Sequence, residues 1–117
     1  MIGLNIEFEV QKLLESVRQE AANNNFSKVT TVHIRLGPWE NIDTQHLIKA
    51  FDRMKGKGLL DDASLIVDKD KMLARCRYCG SLFEVIFWKN RCKYCGSNYM
   101  EFIGDRGIIL ETIEGEE

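Results

Sequence analysis

Two Cys-x2-Cys pairs, Cys76 with Cys79 and Cys92 with Cys95, constrain this chain more than any other feature. Two residues between cysteines form a tight turn that aims both sulfurs at one point. Two such turns, twelve residues apart, can close a tetrahedron of thiolates around one ion at about 2.3 Å, leaving no position for water. Both pairs sit in the same frame, Cys-Arg/Lys-Tyr-Cys-Gly-Ser, so the chain carries two matching knuckles. Gly80 and Gly96 follow the second cysteine of each, where a missing Cβ lets the backbone take positive φ and fold back. This is the donor set of one structural Zn2+. A rubredoxin-like iron site uses the same four sulfurs, and ligation alone does not separate the metals.

Two disulfides are the other use of four cysteines, and they need an oxidising compartment. The first residues, Met1 to Glu9, show no basic segment followed by an apolar run, so no secretory signal is expected. The cysteines therefore read as metal ligands in a reducing cytoplasm. No stretch approaches the roughly 18 apolar residues that a membrane-spanning helix needs. No enzyme is expected either. A closed four-thiolate site has no open coordination position for catalysis, and it commits every cysteine. Asp61-Asp62 and Asp68/Asp70 read as solvated turn formers, and Gly56-Lys57-Gly58 is too short for a phosphate loop.

Around the cysteines, periodicity predicts an α+β fold. Ile6, Val10, Leu13, Leu14, Val17 and Ala21 make one apolar face of a helix over 6–24, ended by Asn23-Asn24-Asn25. Residues 28–36 read as a half-buried strand, with Val32, Ile34 and Leu36 on one side and His33 and Arg35 on the other. Asp43 is a good N-cap for a helix over 44–54 bearing Leu47, Ala50, Phe51 and Met54. Short strands follow at 64–67 and 108–113, the acidic tail 114–117 is expected to fray, and Leu82–Phe87 reads as a ribbon strand. The last strand is expected to rejoin the first two. That gives two helices on a small three-stranded sheet, with an inserted zinc ribbon. Residues 1–70 with 104–117 form the body, and 71–103 form the ribbon.

Charge is divided between these parts. Residues 71–100 hold Lys71, Arg75, Arg77, Lys89, Arg91 and Lys93 against Glu84 alone, while the rest of the chain is acidic. Such cations offset electron-rich thiolates; they also make Arg75, Arg77, Arg91 and Lys93 a candidate docking face for an acidic protein. The acidic body argues against nucleic acid. Tyr78, Phe87, Trp88, Tyr94 and Tyr99 are expected to form the ribbon's small core.

The stretches Lys28–Gly37, Ile42–Phe51, Ala74–Gly80, Arg91–Ser97 and Ile108–Glu114 together resemble the hydrogenase nickel-incorporation family (HypA/HybF) over nearly the whole chain. The resemblance implies a small cytoplasmic metallochaperone with structural zinc. Such proteins pass Ni2+ to a metalloenzyme precursor, such as that of [NiFe] hydrogenase or urease, with a maturation GTPase as partner. A monomer or weak dimer is expected, with no membrane contact. Family members begin Met-His-Glu and bind nickel there. Counting back without gaps from Leu36-Gly37, Asn5 stands at the histidine's position, and the chain starts three residues earlier. Asn is a poor nickel ligand, so the family's nickel site is expected to be altered or lost. His33 and His46 read as surface residues. The alternative is a non-nickel paralogue that acts as a zinc-ribbon adaptor between proteins.

Overall fold

The computed structural model describes residues 5–40, 42–85 and 91–117. Helix α1 runs Ile6–Asn23 and buries Val10, Leu13, Leu14, Val17 and Ala21, the face that its apolar spacing defines. Asn5 caps it: its side-chain oxygen accepts from the Phe8 amide at 3.2 Å. At the other end Asn25 takes φ 58, the left-handed conformation in which Asn replaces Gly after a helix.

Strand β1 (Lys28–Leu36) is the centre of the body sheet. Its alternation buries Val32, Ile34 and Leu36 against the helices and leaves His33 and Arg35 on the opposite face. Helix α2 (Thr44–Met54) starts on the Asp43 cap and buries Leu47, Ala50 and Phe51. It forms the crossover between β1 and the parallel strand β2 (Ser64–Lys69). The sheet order is β2-β1-β6, and β6 (Ile108–Glu116) lies antiparallel to β1. Each large side chain in this core contributes about 1.5–3 kcal/mol on burial.

The C-terminal tail corrects one expectation. Glu114, Gly115 and Glu116 continue β6 instead of fraying. The reason is backbone pairing: Lys28 aligns with Glu116, the Ser27 amide donates to the Glu116 carbonyl at 2.7 Å, and the Ser27 hydroxyl donates to that of Glu117 at 2.9 Å. The acidic side chains stay in water while the main chain is held.

A second, antiparallel sheet carries the cysteines. It consists of β3 (Leu73–Cys76), β4 (Leu82–Glu84) and β5 (Met100–Ile103), in the order β4-β3-β5. The expected strand over Leu82–Phe87 ends at Glu84 among the described residues; Ile86 and Phe87 lie outside them. Among the described residues no helix or strand of the body packs on a strand of this sheet. The molecule is accordingly long and thin, 55 × 29 × 17 Å.

Candidate metal centre

Both knuckles are built by the same backbone bonds. The amides of Cys76 and Cys92 donate to the carbonyls of Ser81 and Ser97 at 2.9 and 2.7 Å, and those of Gly80 and Gly96 donate back to Cys76 and Cys92 at 2.9 and 3.1 Å. Gly80 and Gly96 have φ 82 and 78, the region that a Cβ disfavours. The turns also aim amides at sulfur: Cys79 N–H reaches Cys76 Sγ at 3.4 Å, and Tyr94 N–H reaches Cys92 Sγ at 3.3 Å. Cys76 and Cys92 are buried, while Cys79 and Cys95 face solvent.

The four Sγ atoms all lie within 4.8 Å of one another. Cys76 and Cys95 are 3.6 Å apart, and Cys79 and Cys92 are 3.7 Å apart. Four sulfurs placed tetrahedrally at about 2.3 Å from one ion would be roughly 3.8 Å from each other. The donor set and its spacing thus fit a structural zinc ion.

The electrostatics agree with a site built for a cation. The Ser81 hydroxyl, 3.2 Å from Cys79 Sγ, and the Ser81 amide bring the Cys79 thiol down to about 6. The Cys79 amide, ahead of other causes, lowers Cys76. The Ser97 amide pulls Cys95 down, but desolvation and the three crowding thiols push it up to about 12. Four thiols this close cannot all ionise without a compensating charge, and a bound dication supplies it. Ser81 and Ser97 are the residues to which sequence reasoning gave no role, although the shared Cys-Gly-Ser frame already marked them.

The other candidate residues fare differently. Arg77 pairs with Glu101 at 3.0 Å, Arg91 donates to the Gly96 carbonyl at 3.3 Å, and Lys93 sits 5.7 Å from the Tyr94 ring centroid. Among the described residues no hydrogen bond or ion pair reaches the side chain of Arg75, which is exposed at the middle of the ribbon sheet. Tyr78, Tyr94 and Tyr99 are not core residues, being 78, 62 and 63% exposed. The knuckles turn them outward, and Met72, Ala74 and the two inner cysteines are buried in their place. Phe87 and Trp88 lie outside the described residues.

Asn5, which the sequence sets opposite the family's histidine only by an ungapped count, is engaged as the α1 cap. His33 Nε2 lies 3.2 Å from Glu114 Oε1 across β1 and β6, and His46 is exposed on α2. Among the described residues only the cysteines bring three or more His, Cys, Asp or Glu ligand atoms together.

An α+β body interrupted by a four-thiol ribbon defines a small metal-binding protein of the zinc-ribbon kind. The chain belongs to the family described as "Hydrogenase/urease nickel incorporation, metallochaperone, hypA", which matches residues 7–115. It is 33% identical over 75 residues to the hydrogenase maturation factor HypA of Shewanella halifaxensis, covering 64% of this chain and 65% of that one. It is 34% identical over 74 residues to the HypA of Wolinella succinogenes, covering 63% and 62%. The chain thus spans less than two thirds of the length of these curated relatives. The solution structure of the Ni metallochaperone HypA from Helicobacter pylori shares the fold, with a TM-score of 0.67 at 20% identity over 97% of this chain and 98% of that one. No helix among the described residues is long and apolar enough to cross a membrane.

Proposed function

We propose that this chain is a cytoplasmic maturation factor for a nickel enzyme such as a hydrogenase, holding one structural zinc through Cys76, Cys79, Cys92 and Cys95 and catalysing no reaction itself. The family match over residues 7–115 carries this reading, because it takes in body and ribbon together. The zinc, when bound, supplies four bonds to a ribbon that buries little else. A closed thiolate set offers a substrate no coordination position, which fits a role in assembly. Partners are a maturation GTPase or the enzyme precursor; among the described ribbon residues Arg75, Arg91 and Lys93 have no carboxylate partner and are the cations open to an acidic surface. Asn5 is a helix cap in this chain, so the family's amino-terminal nickel site is not built on its side chain.

Elemental analysis tests this on the full chain, before and after dialysis against excess nickel. One zinc per chain should survive, and any nickel taken up should be unchanged in Asn5→Ala. Loss of zinc on dialysis would refute the structural site. Nickel held by the native chain and lost from Asn5→Ala would overturn the reading of Asn5. For the maturation role, deleting the gene in its host should abolish or sharply lower nickel-enzyme activity, and normal activity without it would sink that role.

A further inference from the structure

The ribbon sheet has two faces of different character. Alternation along β3 puts the buried Ala74 and Cys76 on one face and Leu73 and Arg75 on the other. Cross-strand register sets Glu84 and Ile103 beside Leu73, and Leu82 and Glu101 beside Arg75. The solvated face of an antiparallel sheet is ordinarily polar. Three of these six positions are aliphatic instead, and Leu82 and Ile103 stay 49 and 37% exposed. Among the described residues no helix or strand of the body covers this outer face.

At its body end the face runs into a cleft of about 590 Å3, walled by Leu73 and Ile103 and, from the body, by Lys69. The acids of the cleft, Asp70 and Asp105, are already held by Arg35 at 2.9 and 3.3 Å. Its cations are not matched in the same way. Lys69 has no carboxylate partner among the described residues. Lys71 meets Glu84 at 3.6 Å with both side chains exposed, an arrangement that contributes little and is open to competition. Of the three ribbon cations without a carboxylate, Arg91 bonds the Gly96 carbonyl and Lys93 lies over Tyr94 on the second knuckle. Arg75 alone is set among the aliphatic side chains of the sheet. Lys69 thus stands beyond Leu73 and Ile103 on the body side, and Arg75 on the metal side. Exposed aliphatic surface between unpaired cations fits an apolar side chain flanked by carboxylates. The aliphatic cleft walls give a nucleic-acid base no ring to stack on.

We infer that this cleft and the outer ribbon face beside it bind an acidic segment of a partner protein. An apolar side chain lodges between Leu73 and Ile103, and carboxylates meet Lys69 and Arg75. The inference rests on the proposed function only in taking a protein as the occupant; the surface itself needs neither nickel nor the zinc-bound sulfurs as ligands.

NMR titration of the zinc-loaded full chain tests it. The probes are the capped peptide Glu-Glu-Leu-Glu-Leu-Glu-Glu, the same peptide with Ala for each Leu, and an oligothymidylate. The Leu peptide should shift the amides of Leu73, Arg75, Leu82, Ile103 and Gly104 saturably. Arg75→Glu and Lys69→Glu should each weaken it at least threefold with zinc stoichiometry unchanged, and the Ala peptide should bind at least threefold more weakly than the Leu peptide. Absence of these shifts, shifts centred on the knuckles, or equal binding of the two peptides would overturn the inference. So would oligothymidylate occupying the face as well as the Leu peptide does, which would make it a general polyanion site. If Arg75→Glu disturbs the ribbon's fold, Lys69→Glu, in the body sheet, carries the test. The maturation role fails separately, by normal nickel-enzyme activity without the gene, and neither failure entails the other.

Discussion

The body and the ribbon are stabilised by different physics. In the body, α1, α2 and one sheet face enclose a continuous core that includes Val10, Val32, Ile34, Leu36, Leu47 and Phe51. In the ribbon, Met72, Ala74, Cys76 and Cys92 are the buried apolar residues among those described, and two of the four are ligands. Hydrophobic burial scales with area, and a sheet this small buries too little to offset the entropy of ordering it. A metal does what a core does elsewhere. One polypeptide thus holds a part that water drives together and a part that an ion holds together.

The sharpest way to break this contrast is to remove one sulfur. Binding of a structural zinc is worth roughly 10–16 kcal/mol in small metal-folded modules. Cys79→Ser should release the ion and collapse the amide dispersion of the ribbon in NMR spectra, leaving the signals of α1, α2 and the body sheet in place. Loss of helical circular dichroism across the chain would show that the two parts are not separate. The converse comes next in size. Phe51→Ala empties a fully buried site of the body and should cost about 3–5 kcal/mol, lowering the melting temperature of the helices while zinc stoichiometry holds. Zinc lost in parallel would merge the two cores into one. Smallest is Asn5→Ala, which removes the α1 cap. It should cost about 1 kcal/mol in chemical denaturation of the body, and an unchanged midpoint would take the cap out of the account.

What was legible in the sequence followed the same division. The body elements were readable because its periodicities are long: six apolar positions set α1, and three alternating ones set the inward face of β1. Cysteine spacing and the two glycines gave the knuckles, since few backbone paths bring four sulfurs together. The tail was misread because its composition is solvated while its main chain is paired, and pairing with Lys28 is invisible along the sequence. The tyrosines were misread because a ribbon closed by metal need not bury its aromatics. The ion pairs of Arg35 with Asp70 and Asp105 join residues up to 70 positions apart through ordinary surface charges, and no local pattern announces them.

The insertion point has a consequence for how such a chain can change. From the body's side, everything between Asp70 and Asp105 is one long loop, and its two ends meet at a single guanidinium. The entropy of closing a loop grows only logarithmically, by about 0.6 kcal/mol for each doubling of its length. The body is therefore almost indifferent to what the loop contains. A longer ribbon, a shorter one or a plain turn could occupy the same gap at a cost below that of one truncated core side chain. If Cys79→Ser leaves the body folded, the metal module is an addition that the body's own core does not need.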